Sequence, residues 1–322
     1  MKAVKVGVIG VGHLGRFHAL NYKELSSAEL IGVTDTNPAR AEEIAGECQC
    51  RAFPDVPSLL KEVEAVSIAT PTDYHFDIAG EVLALDVHCL IEKPITQTVT
   101  QAESLIRMAA VKGLVLQVGH IERFNPALGA LKGLTLQPSF IESHRLAPFK
   151  PRGIEVSVIL DLMIHDIDII LSMIKAPLEK IDASGVAVVS DTIDIANARI
   201  GFANGSVANL TASRISQKTM RKMRLFQKDT YITVDFQEKQ TEIFKLGAEA
   251  AQSELVVSEI GVGDKKRKVL YQKPGIKDHN ALLMELDAFV HAVQGEKSFG
   301  VSGKAGREAL AVAVEILRQI NA

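Results

Sequence analysis

Val4-Lys5-Val6-Gly7-Val8-Ile9-Gly10-Val11-Gly12-His13-Leu14-Gly15 decides how the rest of this chain is read. The β-branched run Val4, Val6, Val8 and Ile9 reads as a strand and the glycines as a turn. The segment that follows reads as a helix with Phe17, Leu20 and Leu25 on one face. The spacing G-x-G-x-x-G suits a nucleotide pyrophosphate for a physical reason. Gly10 permits a tight turn, Gly12 lets the backbone approach the phosphates, and Gly15 lets helix and strand pack closely. The helix N-terminus adds N–H groups and a positive dipole end. His13 and Leu14 lie within the turn and count with it as cofactor-binding. The second strand, at 30–34, ends in Asp35, where an acid accepts from the ribose 2′-hydroxyl of NAD and repels the 2′-phosphate of NADP. The cofactor expected is NAD, with NADP disfavoured.

Strands and helices alternate from Asp35 onward. Asn37 can cap a helix that has Pro38 in its first position and runs to about Gly46. A short strand at 51–53, a small helix at 58–63 and a buried strand at 65–69 follow, closed by Thr70-Pro71-Thr72. A helix at 73–85 leads to a strand at 87–91 that ends in Glu92-Lys93-Pro94. A helix at 100–112, with Ala102, Leu105, Ile106 and Ala109 inward, and a strand at 114–118 complete the run. This order specifies a doubly wound parallel sheet, a Rossmann domain over 1–122 in an α/β fold. Ligands of such sheets sit at the carboxyl ends of the strands. Residues 10–15, Asp35, 70–75, 92–94 and 119–126 all fall there.

The pattern changes after Pro126. A strand at 140–146 and a helix at 154–174 precede alternating runs at 181–189, 193–202, 206–215, 220–226 and 231–236. Asn204-Gly205 is a hairpin signal. Two helices, at 280–294 and 304–321, close the chain. Clustered strands imply a second, α+β domain over 123–322, with a mostly antiparallel sheet and one major helix on a face. The terminal helices are free to pack back on the first domain.

A net charge of −3 and the absence of Trp give no case for a nucleic-acid or membrane partner. No charged-then-apolar leader precedes the first strand and no apolar run is long enough to span a bilayer, so the location expected is cytoplasmic. Cys48-x-Cys50 has no second pair to complete a zinc site, and the odd third cysteine, Cys89, argues against a disulfide framework. All three read as reduced and structural, and no metal is expected.

Two places carry the candidate chemistry. Lys93 follows a buried strand, and Pro94 keeps it out of helical geometry at the strand tip. A lysine there can polarise a carbonyl oxygen beside a nicotinamide ring or exchange a proton with an alcohol. Asp161 and His165 stand four apart in a helical segment, so they share a face. A carboxylate beside an imidazole fixes its tautomer and raises its basicity, as a general base needs. Asp166 and Asp168 read as capping, supporting or surface groups. His75 is placed to line the cofactor site, while His18, on the first helix, reads as packing. His120, Arg123 and Asn125, at the end of the last parallel strand, suit an anionic or hydroxyl-rich substrate. The basic stretches 218–228 and 265–268 read as solvated strand faces or turns.

Taken together, Gly10-x-Gly12-x-x-Gly15, Asp35, Thr70-Pro71 with His75, Glu92-Lys93-Pro94 and Asp161-x-x-x-His165 resemble the Gfo/Idh/MocA oxidoreductases, the glucose–fructose oxidoreductase and inositol dehydrogenase group. The resemblance spans the chain. It implies catalytic roles for Lys93, Asp161 and His165, and cofactor contacts from Gly10, Gly12, His13, Leu14, Gly15, Asp35, Thr70, Pro71, His75, Glu92 and Lys93. Asp161 and His165 would fold over from the second domain to face the nicotinamide. It also implies a large open sheet in that domain, with substrate residues on one face and contacts for a homodimer or homotetramer on the other. Many members carry a glycine cluster before the Asp, where this chain has Ser157-Val158-Ile159-Leu160. Gly119-His120-Ile121-Glu122-Arg123-Phe124-Asn125-Pro126 and His144-Arg145-Leu146-Ala147-Pro148 are similar to the branch containing UDP-N-acetylglucosamine 3-dehydrogenases. That implies a nucleotide-sugar substrate, its 3-hydroxyl oxidised to a ketone, with Arg145, Lys150 or Arg152 near the pyrophosphate. A dehydrogenase or reductase of an inositol, free sugar or other cyclic alcohol, and a catalytically silent NAD-binding sensor, are the other readings. Which of His165 and Lys93 takes the proton is open at this level.

Overall fold

The computed structural model describes residues 2–151, 154–251, 253–263, 266–297 and 299–321. The chain separates into two compact units, Met1–Phe124 with Asn280–Ala311, and Asn125–His279 with Val312–Ala322. The division follows Phe124, and the segment Asn280–Ala311 belongs with the first unit.

In the first unit β1 (Val4–Ile9), α1 (His13–Glu24), β2 (Ala28–Thr34), α2 (Pro38–Cys48), β3 (Arg51–Phe53), α3 (Val56–Leu60), β4 (Ala65–Ile68), α4 (His75–Ala84), β5 (His88–Glu92), α5 (Val99–Lys112) and β6 (Leu116–Gly119) follow one another. The strands form a parallel six-stranded sheet in the order β3-β2-β1-β4-β5-β6. Local signals set the helix ends. The Asn37 side chain accepts from Arg40 N to start α2 at Pro38. Thr98 and Gln101 form a reciprocal capping box on α5, which stops at Gly113 in the left-handed region. The small helix is Val56–Leu60, earlier than its apolar residues imply, because Asp55 accepts from Ser58 N and fixes the start.

The buried face of α1 differs from the expected one. Gly15, His18, Ala19 and Tyr22 point inward, whereas Phe17 is 39% exposed. Gly15 meets the sheet, and the residues three, four and seven positions later inherit its face. Tyr22, fully buried, shares a 2.8 Å hydrogen bond with Ser67 on β4. The helix Ala281–Val293, capped by Asn280, adds Leu282, Leu286, Phe289 and Val290 to the core formed by β1, α1 and α2.

The second unit contains β7 (Phe140–Leu146), β8 (Leu178–Val186), β9 (Ile195–Phe202), β10 (Val207–Ser213), β11 (Met220–Gln227), β12 (Thr230–Asp235), β13 (Gln240–Gly247), β14 (Leu255–Ile260) and β15 (Arg267–Gln272). They form a nine-stranded sheet in the order β14-β15-β13-β12-β11-β7-β10-β9-β8, antiparallel except at β7–β10. Alternate residues of β7, β9 and β10 are buried, as one-sided packing requires. Strands β13 to β15 are additions to the sequence reading. Every residue of β14 is exposed, so it carries no alternation to read. Most of the 218–228 stretch lies on β11, where Lys222 and Arg224 pair with Asp235 and Glu142. Of the 265–268 stretch, Lys265 lies outside the described residues.

One aromatic row crosses the second sheet. Phe140, Phe226, Tyr231, Phe244 and Tyr271 sit directly opposite one another on β7, β11, β12, β13 and β15. Their ring centroids are 5.6, 4.9, 5.8 and 5.0 Å apart in sequence along the row.

Candidate active site

The glycine turn is shaped as its spacing demands. Gly10 has φ +81°, and a Cβ there would stand 2.7 Å from Thr70 Cγ2. A Cβ on Gly15 would collide with the Gly10 carbonyl, which is the close helix–strand contact expected of the third glycine. At Gly12 a Cβ would meet nothing within 4 Å. No side chain caps α1 at this end, so its first-turn N–H groups and dipole face an open cradle. Leu14 and His13 are exposed beside it, the His13 ring edge-on to Phe17.

Asp35, at the tip of β2, is fixed from two sides. Its Oδ2 accepts from Val11 N at 2.8 Å and its Oδ1 from Asn37 N at 2.9 Å. Arg40 Nε donates to the Val11 carbonyl at 2.9 Å, and Arg40 Nη1 is paired with Glu43. A cleft of about 500 Å³ opens here, lined by Gly10, Gly12, Asp35, Asp55, Thr70 and Pro71 among others. An open glycine, an uncapped helix and an acid on the neighbouring strand tip fit the pyrophosphate and ribose of a dinucleotide.

The tips of β4 and β5 form the rest of this rim. His75 was expected to line the cofactor site, but it lies beneath the rim, 1% exposed. Its Nδ1 is 2.9 Å from the Pro94 carbonyl and its Nε2 is 2.9 Å from the Thr70 carbonyl. It therefore ties the loop after β4 to the loop after β5. Burial pushes the His75 pKa below its ordinary value, while the two carbonyls act the other way. Lys93 is half-buried, and its peptide bond to the buried Pro94 is cis. Glu92 Oε1 is 2.9 Å from His18 Nε2, and Glu92 Oε2 accepts from Lys93 N at 3.2 Å. Burial pushes the Glu92 carboxyl up, but the bond from His18 and the nearby positive charge outweigh it and hold the group below the usual carboxylate range. The Glu92 side chain is thus turned into the protein beneath the lysine.

After β6, His120 is 1% exposed and Arg123 half-buried in a 3-10 turn, Ile121–Phe124. Asn125 begins the second unit. Its Oδ1 accepts from Ala127 N at 3.0 Å to cap a short helix, α6 (Pro126–Gly129), and its Nδ2 donates to the Phe236 carbonyl at 3.1 Å.

Asp161 and His165 stand where the expected long helix is least regular. Residues Ile159–Met163 form a π turn that continues into α7 (Ile164–Met173). Residues 154–157 are not helical, because their backbone groups bond elsewhere. Thr192 Oγ1 donates to the Ile154 carbonyl at 2.7 Å, Arg214 Nη2 donates to the Val156 carbonyl, and Val158 N donates to the Ile193 carbonyl. Single π turns occur often at functional sites. Asp161 lies in this turn and His165 two residues past its end, both half-buried.

Arg145 was expected to reach an anionic substrate, but its guanidinium is turned inward. It forms a bidentate pair with Asp166 on α7, with Nε 3.2 and 3.1 Å from the two carboxylate oxygens and Nη2 2.7 Å from Oδ1. Both side chains are 3% exposed. Asp166 and Asp168 are both buried, which removes the surface reading for them. Lys150 is exposed, and Arg152 lies outside the described residues.

Two supports went unread in the sequence. His18 read as packing, yet it meets Glu92; the signal was its place one turn after Gly15, on the face that the glycine sets. Asp194, fully buried, accepts from Val188 N, Val189 N and Ser190 N at 2.7–2.9 Å and from Ser190 Oγ. These donors outweigh burial and hold its carboxyl well below the usual range. Nothing in its spacing announces that loop. Among the described residues, no three His, Cys, Asp or Glu side chains form a group able to hold a metal ion, and no helix is long and apolar enough to cross a membrane.

Residues 4–120 match the GFO/IDH/MocA oxidoreductase family with its NAD-binding Rossmann fold, and residues 141–234 match the GFO/IDH/MocA C-terminal domain. The chain is similar to the UDP-N-acetylglucosamine 3-dehydrogenase of Acidithiobacillus ferrooxidans, 43% identical over 99% of this chain and 98% of that one. A solved structure of that enzyme superposes with a TM-score of 0.88, covering 99% of this chain and 98% of its own. An inositol 2-dehydrogenase of Rhizobium meliloti is 25% identical over 98% of this chain and 97% of its own. The chain belongs to the GFO/IDH/MocA family of Rossmann-fold oxidoreductases.

Proposed function

We propose that this protein oxidises the 3-hydroxyl of a UDP-N-acetyl-hexosamine to a ketone, with NAD rather than NADP as the acceptor. The observation that carries the substrate is the 43% identity, end to end, with a UDP-N-acetylglucosamine 3-dehydrogenase. Bound NAD supplies the hydride-accepting carbon. The chain's own residues do the rest. The cradle at 10–15 and the open end of α1 hold the pyrophosphate, and Asp35 holds the ribose 2′-hydroxyl and disfavours a 2′-phosphate.

The oxidation removes a hydride from the sugar carbon and a proton from its hydroxyl. Lys93 and His165 are the proton-handling groups, and Asp161 orients the imidazole and stabilises its charged form. His120 and Arg123 are the residues assigned to the substrate, and Asn125, expected there too, is assigned to the cap of α6. Arg145, held by Asp166, is assigned to structure instead. The protein assembles with further copies of itself through the face of the second sheet that bears the aromatic row, since such rows carry large apolar area at low entropic cost.

The test is direct. Purified protein is incubated with NAD or NADP and a panel of UDP-sugars, free hexoses and inositols, and the reduced cofactor is followed by absorbance. Turnover with UDP-N-acetylglucosamine and NAD alone is the expected result. Turnover with an inositol or free sugar instead moves the substrate to the inositol dehydrogenase reading. Tight NAD binding with no turnover on any of them leaves a sensor.

A further inference from the structure

His18 and Glu92 are a buried charged contact that the reaction itself does not use. His18 is fully buried on α1, and Glu92, 8% exposed, ends β5 immediately before Lys93. His18 Nε2 lies 2.9 Å from Glu92 Oε1, and Glu92 Oε2 accepts from Lys93 N at 3.2 Å. His18 Nδ1 has no hydrogen-bond partner among the described residues. An ionised carboxylate can only accept, so the hydrogen of this contact is on His18 Nε2, which donates to Glu92 Oε1. Space for the carboxylate is made by Gly119 on β6, where a Cβ would stand 2.8 Å from Glu92 Oε1. A buried carboxylate enclosed this closely, with donors on both oxygens, has few alternative positions.

We propose that His18 and Glu92 are positioning residues that lock the lysine tip of β5 to the helix whose N-terminus receives the cofactor pyrophosphate. This rests on the reading of Lys93 as a catalytic residue. α1 starts at the glycine turn, and its His18 holds Glu92. Glu92 in turn holds the backbone N–H of Lys93, so the position of the lysine is referred to the helix that grips the cofactor. Reaction geometry is sensitive to displacements of this kind, since a shift of about 1 Å can cost on the order of a hundredfold in rate.

The experiment compares Glu92→Gln, His18→Leu and His18→Gln in the wild-type and Lys93→Ala backgrounds. Steady-state turnover is measured on the sugar nucleotide, NADH affinity by fluorescence and folding by thermal melts. Glu92→Gln is expected to lower kcat about tenfold or more while NADH affinity stays within about threefold. His18→Gln, which keeps an N–H donor, is expected to recover most of what His18→Leu loses. In the Lys93→Ala background the residual rate should not fall further with any of the three, because they act through the lysine. Equal losses in both backgrounds, or a loss confined to NADH affinity, would overturn the proposal. Lys93→Ala turning over at the wild-type rate would overturn the reading of Lys93 instead, and is recognised separately. If Glu92→Gln does not fold, the two His18 variants decide by the same criteria.

Discussion

The lysine tip of β5 and the Asp161 turn before α7 are built on opposite principles. Lys93 directly follows β5, which lies between β4 and β6 in a regular parallel sheet, next to other strand tips whose turns are written in adjacent residues. Asp161 sits in a π turn held by groups far along the chain, among them Thr192 and Arg214, with Arg145 and Asp166 locking the helix that follows. The first region draws its backbone path from local rules and repeated elements, with His18–Glu92 and His75 as ties laid over that path. The second draws it from side chains far apart in sequence, of which Arg145, Asp166 and Arg214 are buried and Thr192 half-buried.

The sharpest test of that contrast is Arg145→Ala. Removing one partner of a buried pair leaves the other charge uncompensated, and this typically costs about 3–5 kcal/mol. Denaturant unfolding should show a loss of that order, and Arg145→Lys should recover only part of it, since an ammonium cannot reproduce the bidentate geometry. If Arg145→Ala keeps full stability and instead loses substrate affinity, Arg145 is a substrate residue, and the second region does not depend on a buried ion pair. Lys93→Ala is the counterpart on the other side. It should leave stability and NADH binding intact and lower kcat by at least about a hundredfold, the usual weight of one acid–base group. Near-normal turnover would remove Lys93 from the chemistry.

The same contrast explains what the sequence made legible. Strand, glycine turn, helix and terminal acid were readable because each signal acts within a few residues: Gly10 and Gly15 through backbone sterics, Asn37 through a cap, Pro94 through its missing N–H. The pairing of His18 with Glu92, 74 residues apart, has no local signature. Arg145 and Asp166 were both visible as charges, but a charge carries no mark of whether it will face solvent, substrate or a partner. The break in the helix before Asp161 was hidden for a related reason. Its apolar residues keep a helical period, while the bonds that unwind it come from Thr192 and Arg214. Strand β14 escaped because both its faces are exposed, so alternation, the usual strand signal, is absent.

Asp35 tests the local side more finely. Besides its proposed ribose contact, its carboxylate accepts from Val11 N and Asn37 N. Asp35→Ala should weaken NAD by about tenfold or more, the weight of one charge-assisted hydrogen bond, and narrow the NAD-to-NADP preference. An unchanged cofactor ratio would mean that the acid serves the turn alone.

His75 gives the smallest effect, and it asks whether even the regular rim depends on a buried side chain. Its pKa is lowered chiefly by burial from the ordinary value of 6.5. The folded protein then keeps the ring neutral where the unfolded chain would take up a proton. The stability this contributes is fully present above about pH 6.5 and is lost as pH falls through the lower folded pKa. His88, also lowered by burial, acts in the same window, so the wild-type slope alone does not isolate His75. Comparison with His75→Gln does. The glutamine can still bond to one rim carbonyl and cannot titrate, so its melting temperature should fall less steeply than the wild type's between pH 7 and 5. The lowered carboxyls of Glu92 and Asp194 respond from about pH 5 downward, at the lower edge of that window, and are common to both proteins. Equal slopes would mean that the loops after β4 and β5 are held by the sheet itself, and the lysine tip would then owe its position to local structure with His18 and Glu92 as its only long-range anchor among the groups tested.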